Sequence, residues 1–134
     1  MNRDLLAEAV ELARHVGHVV VATADPEGRP HLASAGIVEG PEGDGVAVSD
    51  WFCPKTVRNV RDNKQVSLVV WNAPNDEGFQ LLGVVDEMED VAMLDGYVPE
   101  VESGQALPQV ERRLRVRVQE VLRFSKGPHT DAAE

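Results

Sequence analysis

Near the end of the chain, the twelve residues Arg113 to Phe124 alternate between apolar and polar side chains. Leu114, Val116, Val118, Leu122 and Phe124 share one face, with Glu120 the exception. Arg113, Arg115, Arg117, Gln119 and Arg123 share the other, with Val121 the exception. A period of two belongs to an extended strand, whose successive side chains point to opposite sides. So long a strand carries a row of backbone donors and acceptors and an apolar face. Both need partners: further strands beside it and a packed layer against the apolar side.

The rest of the chain supplies them. His18 to Thr23 is a β-branched run, the dense turn signal Asp25 to Pro30 follows, and a second strand covers roughly His31 to Val38, making a hairpin. Gly40 to Gly45 reads as a turn into a strand over Gly45 to Ser49. Gln65 to Trp71 places Val66, Leu68 and Val70 on one face, Asn72 to Gly78 is a polar loop, and Phe79 to Met88 is another strand. Ahead of all of these, residues 4–16 carry Leu5, Leu6, Ala9, Leu12, Ala13 and Val16 at helical spacing, with Gly17 as the stop. Residues 89–111 read as irregular, because Pro99 and Gly104 break any long helix, with a short helix expected near Asp90 to Gly96. Six antiparallel strands and few helices predict a mainly β, Greek-key, closed or nearly closed barrel in a single domain, 1–134. Closure would remove the edges that strands this apolar otherwise expose.

The formal net charge is −10 over 134 residues. That predicts no nucleic-acid partner, which needs a basic footprint, and no docking on an anionic membrane. No apolar run approaches the ~20 residues of a membrane span. Glu8 and Glu11 interrupt any signal-peptide core, so a cytoplasmic location is expected. One cysteine, Cys53, allows no internal disulfide. The histidines, His15, His18, His31 and His129, lack zinc-ligand spacing, so no metal is expected; His31, at the start of a strand, is the one to follow.

The chemistry concentrates at Trp51-Phe52-Cys53-Pro54-Lys55-Thr56-Val57-Arg58-Asn59. A strand runs up to this segment, Val57 and Val60 lie one turn apart after it, and Asn63 closes the short helix. Lys55 and Thr56 thus sit in a first helical turn, where free N–H groups, the positive dipole end, an ammonium and a hydroxyl converge. A phosphate-bearing cofactor suits that place; the plainer reading is a solvated helix start in which Thr56 only caps. Asn59 either holds neighbouring structure or touches the cofactor. Cys53 lies where a helix N-terminus lowers a thiol pKa, yet no histidine is near in sequence to act as its base, so it reads as inert. The arginine stripe faces the acidic run Asp86, Glu87, Glu89 and Asp90, unless one arginine reaches a phosphate instead. No side chain reads as a general acid or base, so catalytic residues are not assigned.

In order along the chain stand an Asp-x-x-Gly-Arg-Pro-His turn (Asp25 to His31), Lys-Thr-x-x-Asn-Val-x-x-Asn (Lys55 to Asn63), Val-Ser-Leu-Val-Val-Trp (Val66 to Trp71) and Gln80-Leu81-Leu82-Gly83 with an acidic tail. Together they resemble the FMN-binding split-barrel family related to pyridoxamine 5′-phosphate oxidase, above all its small bacterial FMN-binding members. The resemblance implies a split barrel and a homodimer with FMN at the subunit interface. It implies phosphate contacts at Ser49, Asp50, Trp51, Lys55 and Thr56, and an isoalloxazine ring against the backbone of Ala33, Ser34, Ala35 and Gly36. Asp50 would turn to the ribityl hydroxyls or solvent, since like charges repel. Trp51 and Phe52 would either flank the flavin or fill the dimer core. Ser34-Ala35-Gly36 stand where an arginine would help hold the phosphate, so pyridoxamine phosphate is not the expected substrate. The implied activity is a flavin-dependent oxidoreductase or electron carrier working with a small-molecule electron donor or acceptor. A split barrel for deazaflavin F420 or haem, with His31 or His129 as axial ligand, is one alternative. A non-enzymatic flavin storage, sensor or interaction protein is another.

Overall fold

The computed structural model describes residues 1–96 and 107–133. Its elements are α1 (Arg3–Val16), β1 (Val19–Ala24), β2 (Pro30–Ala35), β3 (Ile37–Glu42), β4 (Gly45–Ser49), α2 (Pro54–Asp62), β5 (Gln65–Asn72), β6 (Glu77–Gly96) and β7 (Leu107–Arg123). Among the described residues, seven strands form one antiparallel sheet in the order β2-β1-β5-β6-β7-β4-β3. The fold is the mainly β split barrel that the sequence predicts. No helix among these residues is long and apolar enough to cross a membrane.

The expected strand from His31 to Val38 is in fact two, which makes the count seven rather than six. The chain bends at Gly36: β2 pairs with β1 on one edge of the sheet, and β3 pairs with β4 on the other. The two edges are therefore consecutive in sequence, so the sheet is curled until its ends are joined through a single residue. The Gly36 N–H donates to the Asp50 carbonyl at 3.1 Å. A Cβ at Gly36 would fall on the carboxylate of the exposed Asp50 side chain, which would have to turn aside.

Two further expectations are corrected. The turn read over Gly40 to Gly45 shrinks to Gly43-Asp44, because β3 continues to Glu42 past a register shift between Glu39 and Glu42. The helix expected at Asp90 to Gly96 is strand: β6 runs on to Gly96 against β7, with Asp90 opposite Arg112 and Gly96 opposite Leu107. Backbone pairing over this length outweighs the weak local helical preference. The remainder of the stretch read as irregular, 97–106, lies outside the described residues.

The two exceptions in the alternating strand mark a bulge. Val118 pairs with Gly83 and Glu120 with Leu82, leaving Gln119 as the extra residue. One inserted residue shifts the phase of every side chain beyond it. Val121 is consequently buried and Glu120 exposed. Gly83 lies at the bulge, where a Cβ would stand 2.6 Å from the Arg117 carbonyl oxygen.

The core joins Leu6, Ala9 and Val10 of α1 to Val21, Val48, Leu68, Leu114, Val116 and Val121 of the sheet. Asn2 caps α1 through its side chain, accepting from the N–H groups of Asp4 and Leu5. On the outer face the arginine stripe meets the acidic run as expected: Arg113 with Glu89 at 3.4 Å, Arg115 with Glu89 at 3.2 Å and Glu87 at 3.8 Å, and Arg117 with Asp86 at 3.4 Å; Arg112, outside the stripe, takes Asp90 at 3.1 Å.

Candidate functional site

The candidate site gathers the end of β4, the start of α2 and the β2–β3 bend. Pro54 is the first residue of α2, where its missing N–H costs nothing. Cys53 is the N-cap and its carbonyl accepts from Val57. The N–H groups of Lys55 and Thr56 have no carbonyl a turn earlier to bond and bear on the Cys53 sulfur instead. Asn63 closes the helix as expected, its N–H donating to the Asn59 carbonyl at 2.7 Å.

Asn59 has a structural place: its buried amide donates to Thr23 Oγ1 at 3.0 Å and ties α2 to β1. The α2 start is thereby held against the β1–β2 hairpin. Lys55 is exposed; led by the Arg29 N–H and against desolvation, the Glu27 N–H, the Arg29 guanidinium and, last, the Lys55 charge keep the Asp25 carboxyl below its ordinary value. Thr56 is fully buried, and its hydroxyl meets no hydrogen-bond partner of ordinary geometry.

Ser49 and Trp51 are buried within the subunit, and the Trp51 indole donates to the Val48 carbonyl at 3.2 Å. Asp50 between them is exposed, with a positive φ of 61° that turns the chain from β4 toward α2. Phe52 is half-buried. Along β2, Ala33 and Ala35 stand opposite Val21 and Val19, which places them on the core side, whereas Leu32 and Ser34 are exposed. The structure thus brings Gly36 and Asp50 together and sets Lys55 toward Asp25, while Ala33, Ala35, Ser49 and Trp51 contribute backbone and packing.

One neighbour is invisible in the sequence. His31 Nε2 lies 3.8 Å from Cys53 Sγ, across 22 residues of chain. Burial by itself raises the Cys53 pKa, but the Thr56 N–H and hydroxyl, the Lys55 N–H and the Arg58 charge outweigh it and bring the thiol below its ordinary range. The pairing of β2 with β1 and the packing of α2 across them bring this histidine beside Cys53 although it is distant in sequence.

A cavity of about 420 Å³ opens elsewhere, lined by Glu39, Glu42, Asp86 and Glu87 with Arg115. Its acidic wall repels phosphate, so it does not compete with the α2 start for an anion.

The structure resembles several solved ones. A protein related to general stress protein 26, from Clostridium acetobutylicum, superposes with a TM-score of 0.65 at 14% identity, covering 99% of this chain and 96% of that one. An FMN-binding protein of Syntrophomonas wolfei gives 0.63 at 17% identity, covering 96% and 91%. The haem storage protein HutZ of Vibrio cholerae gives 0.56 at 19% identity, covering 90% and 94%. No curated protein sequence matches the chain. The family model described as pyridoxamine 5′-phosphate oxidase matches residues 5–124. With the split barrel and the Lys55-Thr56 helix start already in place, that match over most of the chain makes this protein a member of the pyridoxamine 5′-phosphate oxidase family.

Proposed function

We propose that the protein binds FMN at the interface of a homodimer and serves as a flavin-dependent oxidoreductase or electron carrier. The observation that carries this reading is the α2 start of a family member: an exposed cation, Lys55, beside the positive end of a helix. The cation and the helix end fit a phosphate monoester. Lys55 would hold the phosphate, with the helix field behind it. The outer edge of β2 offers backbone N–H and C=O groups that β1 does not use, which suits the polar rim of a flat heteroaromatic ring. Asp50, being anionic, would face the ribityl hydroxyls rather than the phosphate.

Leu32 and Ile37 support the dimer. They are 65% and 47% exposed on the two strands that flank Gly36, an apolar pair beside the proposed ring site. A partner subunit would cover them and complete a pocket that one subunit leaves open. Bound FMN supplies reversible uptake of electrons or hydride, and the chain's task is to bind, orient and shield it.

The test is a fluorescence titration of the purified protein with FMN, riboflavin, F420 and haem. FMN is expected to bind tightest, and Lys55→Ala to weaken it by about 1–3 kcal/mol, the worth of a hydrogen bond to a charged group. A preference for F420 or haem overturns the cofactor; equal affinity for FMN and riboflavin overturns the phosphate site. Reduction of the bound flavin by NADH or NADPH separates an oxidoreductase from a storage or sensor protein.

A further inference from the structure

Cys53, the chain's one cysteine, is half-buried at the N-cap of α2, and polar groups surround its sulfur. His31 Nε2 faces it at 3.8 Å. The Thr56 side chain is fully buried, carries an unpartnered hydroxyl and bears directly on the same sulfur. His31 Nδ1 is also buried without a partner, so nothing on the far side of the imidazole anchors it. A structural cysteine sits among apolar groups; one set between a helix N-terminus and an imidazole is the reactive kind. The Thr56 hydroxyl, fully buried beside the sulfur without a partner of ordinary geometry, is a polar group that an oxygen placed on the sulfur would meet.

We propose that Cys53 and His31 form a thiol–imidazole pair that reduces a small hydroperoxide and leaves Cys53 as its sulfenic acid. The Cys53 proton moves to His31 Nε2. The sulfur attacks one peroxide oxygen, an S–O bond forms and the O–O bond breaks. Sulfur gives up two electrons, the peroxide takes them, and the proton on His31 passes to the leaving oxygen, so that thiol and hydroperoxide become sulfenic acid and water or an alcohol. The Thr56 hydroxyl provides the hydrogen-bond partner for the oxygen placed on sulfur.

The surroundings choose among thiol chemistries. Acyl transfer needs N–H donors aimed at a substrate oxygen, but those of Lys55 and Thr56 bear on the sulfur. A metal site finds no third His, Cys, Asp or Glu joining the pair among the described residues. A peroxide needs only a thiolate, a proton donor and room for two oxygens. The charges about the pair are Lys55 and Arg58 from α2 and Asp25 from the β1–β2 turn, with His31 on β2. The Arg58 charge favours the thiolate, and Asp25 is engaged by Arg29 at 3.4 Å.

The experiment treats the full chain, as purified, with hydrogen peroxide in the presence of dimedone and follows the adduct by intact mass. It requires no bound cofactor, so its outcome is separate from that of the flavin reading. Cys53 is expected to react at least roughly tenfold faster than glutathione at the same pH, given a thiolate-favouring site. His31→Asn, which removes the proton donor, is expected to bring the peroxide rate down to that of glutathione, while the groups of α2 that hold the thiol pKa down keep the pH profile of iodoacetamide alkylation near that of the wild type. Thr56→Val, which removes a hydroxyl that helps hold the thiol pKa down, is expected to slow both the peroxide reaction and the alkylation. A wild-type rate equal to that of glutathione overturns the proposal. So does a fast rate that His31→Asn leaves intact while the variant retains the wild-type melting curve.

Discussion

At the scale of single residues, two contacts carry consequences. Gly36 lies against Asp50 so closely that a methyl group there meets the Asp50 carboxylate. Gly36→Ala is therefore expected to lower stability by about 0.5–1.5 kcal/mol, the cost of forcing the exposed Asp50 side chain from its rotamer. Asp50 already holds a positive φ of 61°, so Asp50→Gly removes the obstructing side chain and suits the backbone as well. Gly36→Ala with Asp50→Gly is expected to recover most of the loss in urea denaturation; additive losses would locate the strain elsewhere. The second contact is Asp76, whose carboxylate accepts from the Lys126 N–H at 2.9 Å, the Trp71 indole at 2.9 Å and the Gly127 N–H at 2.9 Å. Led by the Lys126 N–H, and opposed only by desolvation, these hold its pKa below the ordinary aspartate value. Its contribution is thus complete above that ordinary value and lost as pH falls through the lowered one. Amide exchange at Lys126 and Gly127 is expected to accelerate over that acid window. Asp76→Asn is expected to abolish the pH dependence. Of the candidate site, Lys55, Thr56 and Asp50 were legible as a local run after a strand. The Cys53–His31 pair was not, because the two residues meet only through strand pairing and helix packing.

At the scale of elements, β7 shows both what periodicity conveys and where it misleads. Its apolar face was evident, and so were Glu120 and Val121 as departures from it. That the departures express one bulge at Gln119 follows from the register against β6, where Gly83 and Leu82 pair with Val118 and Glu120. Leu114 is fully buried on the inner face and Arg115 exposed on the outer. Leu114→Ala is expected to cost about 2–5 kcal/mol in thermal or urea unfolding, as deleted core leucines do. Arg115→Ala, despite pairing with Glu87 and Glu89, is expected to cost under about 1 kcal/mol, because exposed ion pairs contribute little. Comparable losses for both would mean that the acid–arginine ladder is more than a solvated face. The helix expected at Asp90 to Gly96 was misread for the complementary reason. Its short, mixed composition has no strong local preference, and the partner that makes it a strand lies on β7.

At the scale of the whole molecule, the sheet's two edge strands meet at Gly36 and leave Leu32 and Ile37 exposed on either side. If a second subunit covers them, Leu32→Asp is expected to shift the protein from dimer to monomer in sedimentation equilibrium and to weaken FMN binding with it. A monomeric wild-type protein, or a variant dimer indistinguishable from it, would sink the interface reading. What the sequence alone determined is what depends on neighbours along the chain: the amphipathic first helix, the period-two strands, the turns, the Lys55-Thr56 helix start and the arginine face matched to an acidic one. Side-chain alternation, capping and backbone conformational preference act over a few residues and so are written locally. The closure of the sheet at Gly36, the phase shift at Gln119, the extension of β6 to Gly96 and the meeting of His31 with Cys53 were settled only by the tertiary structure. Each depends on which strand pairs with which and in what register. That choice is made by burial and hydrogen bonding summed over residues far apart in the chain, which no local pattern encodes.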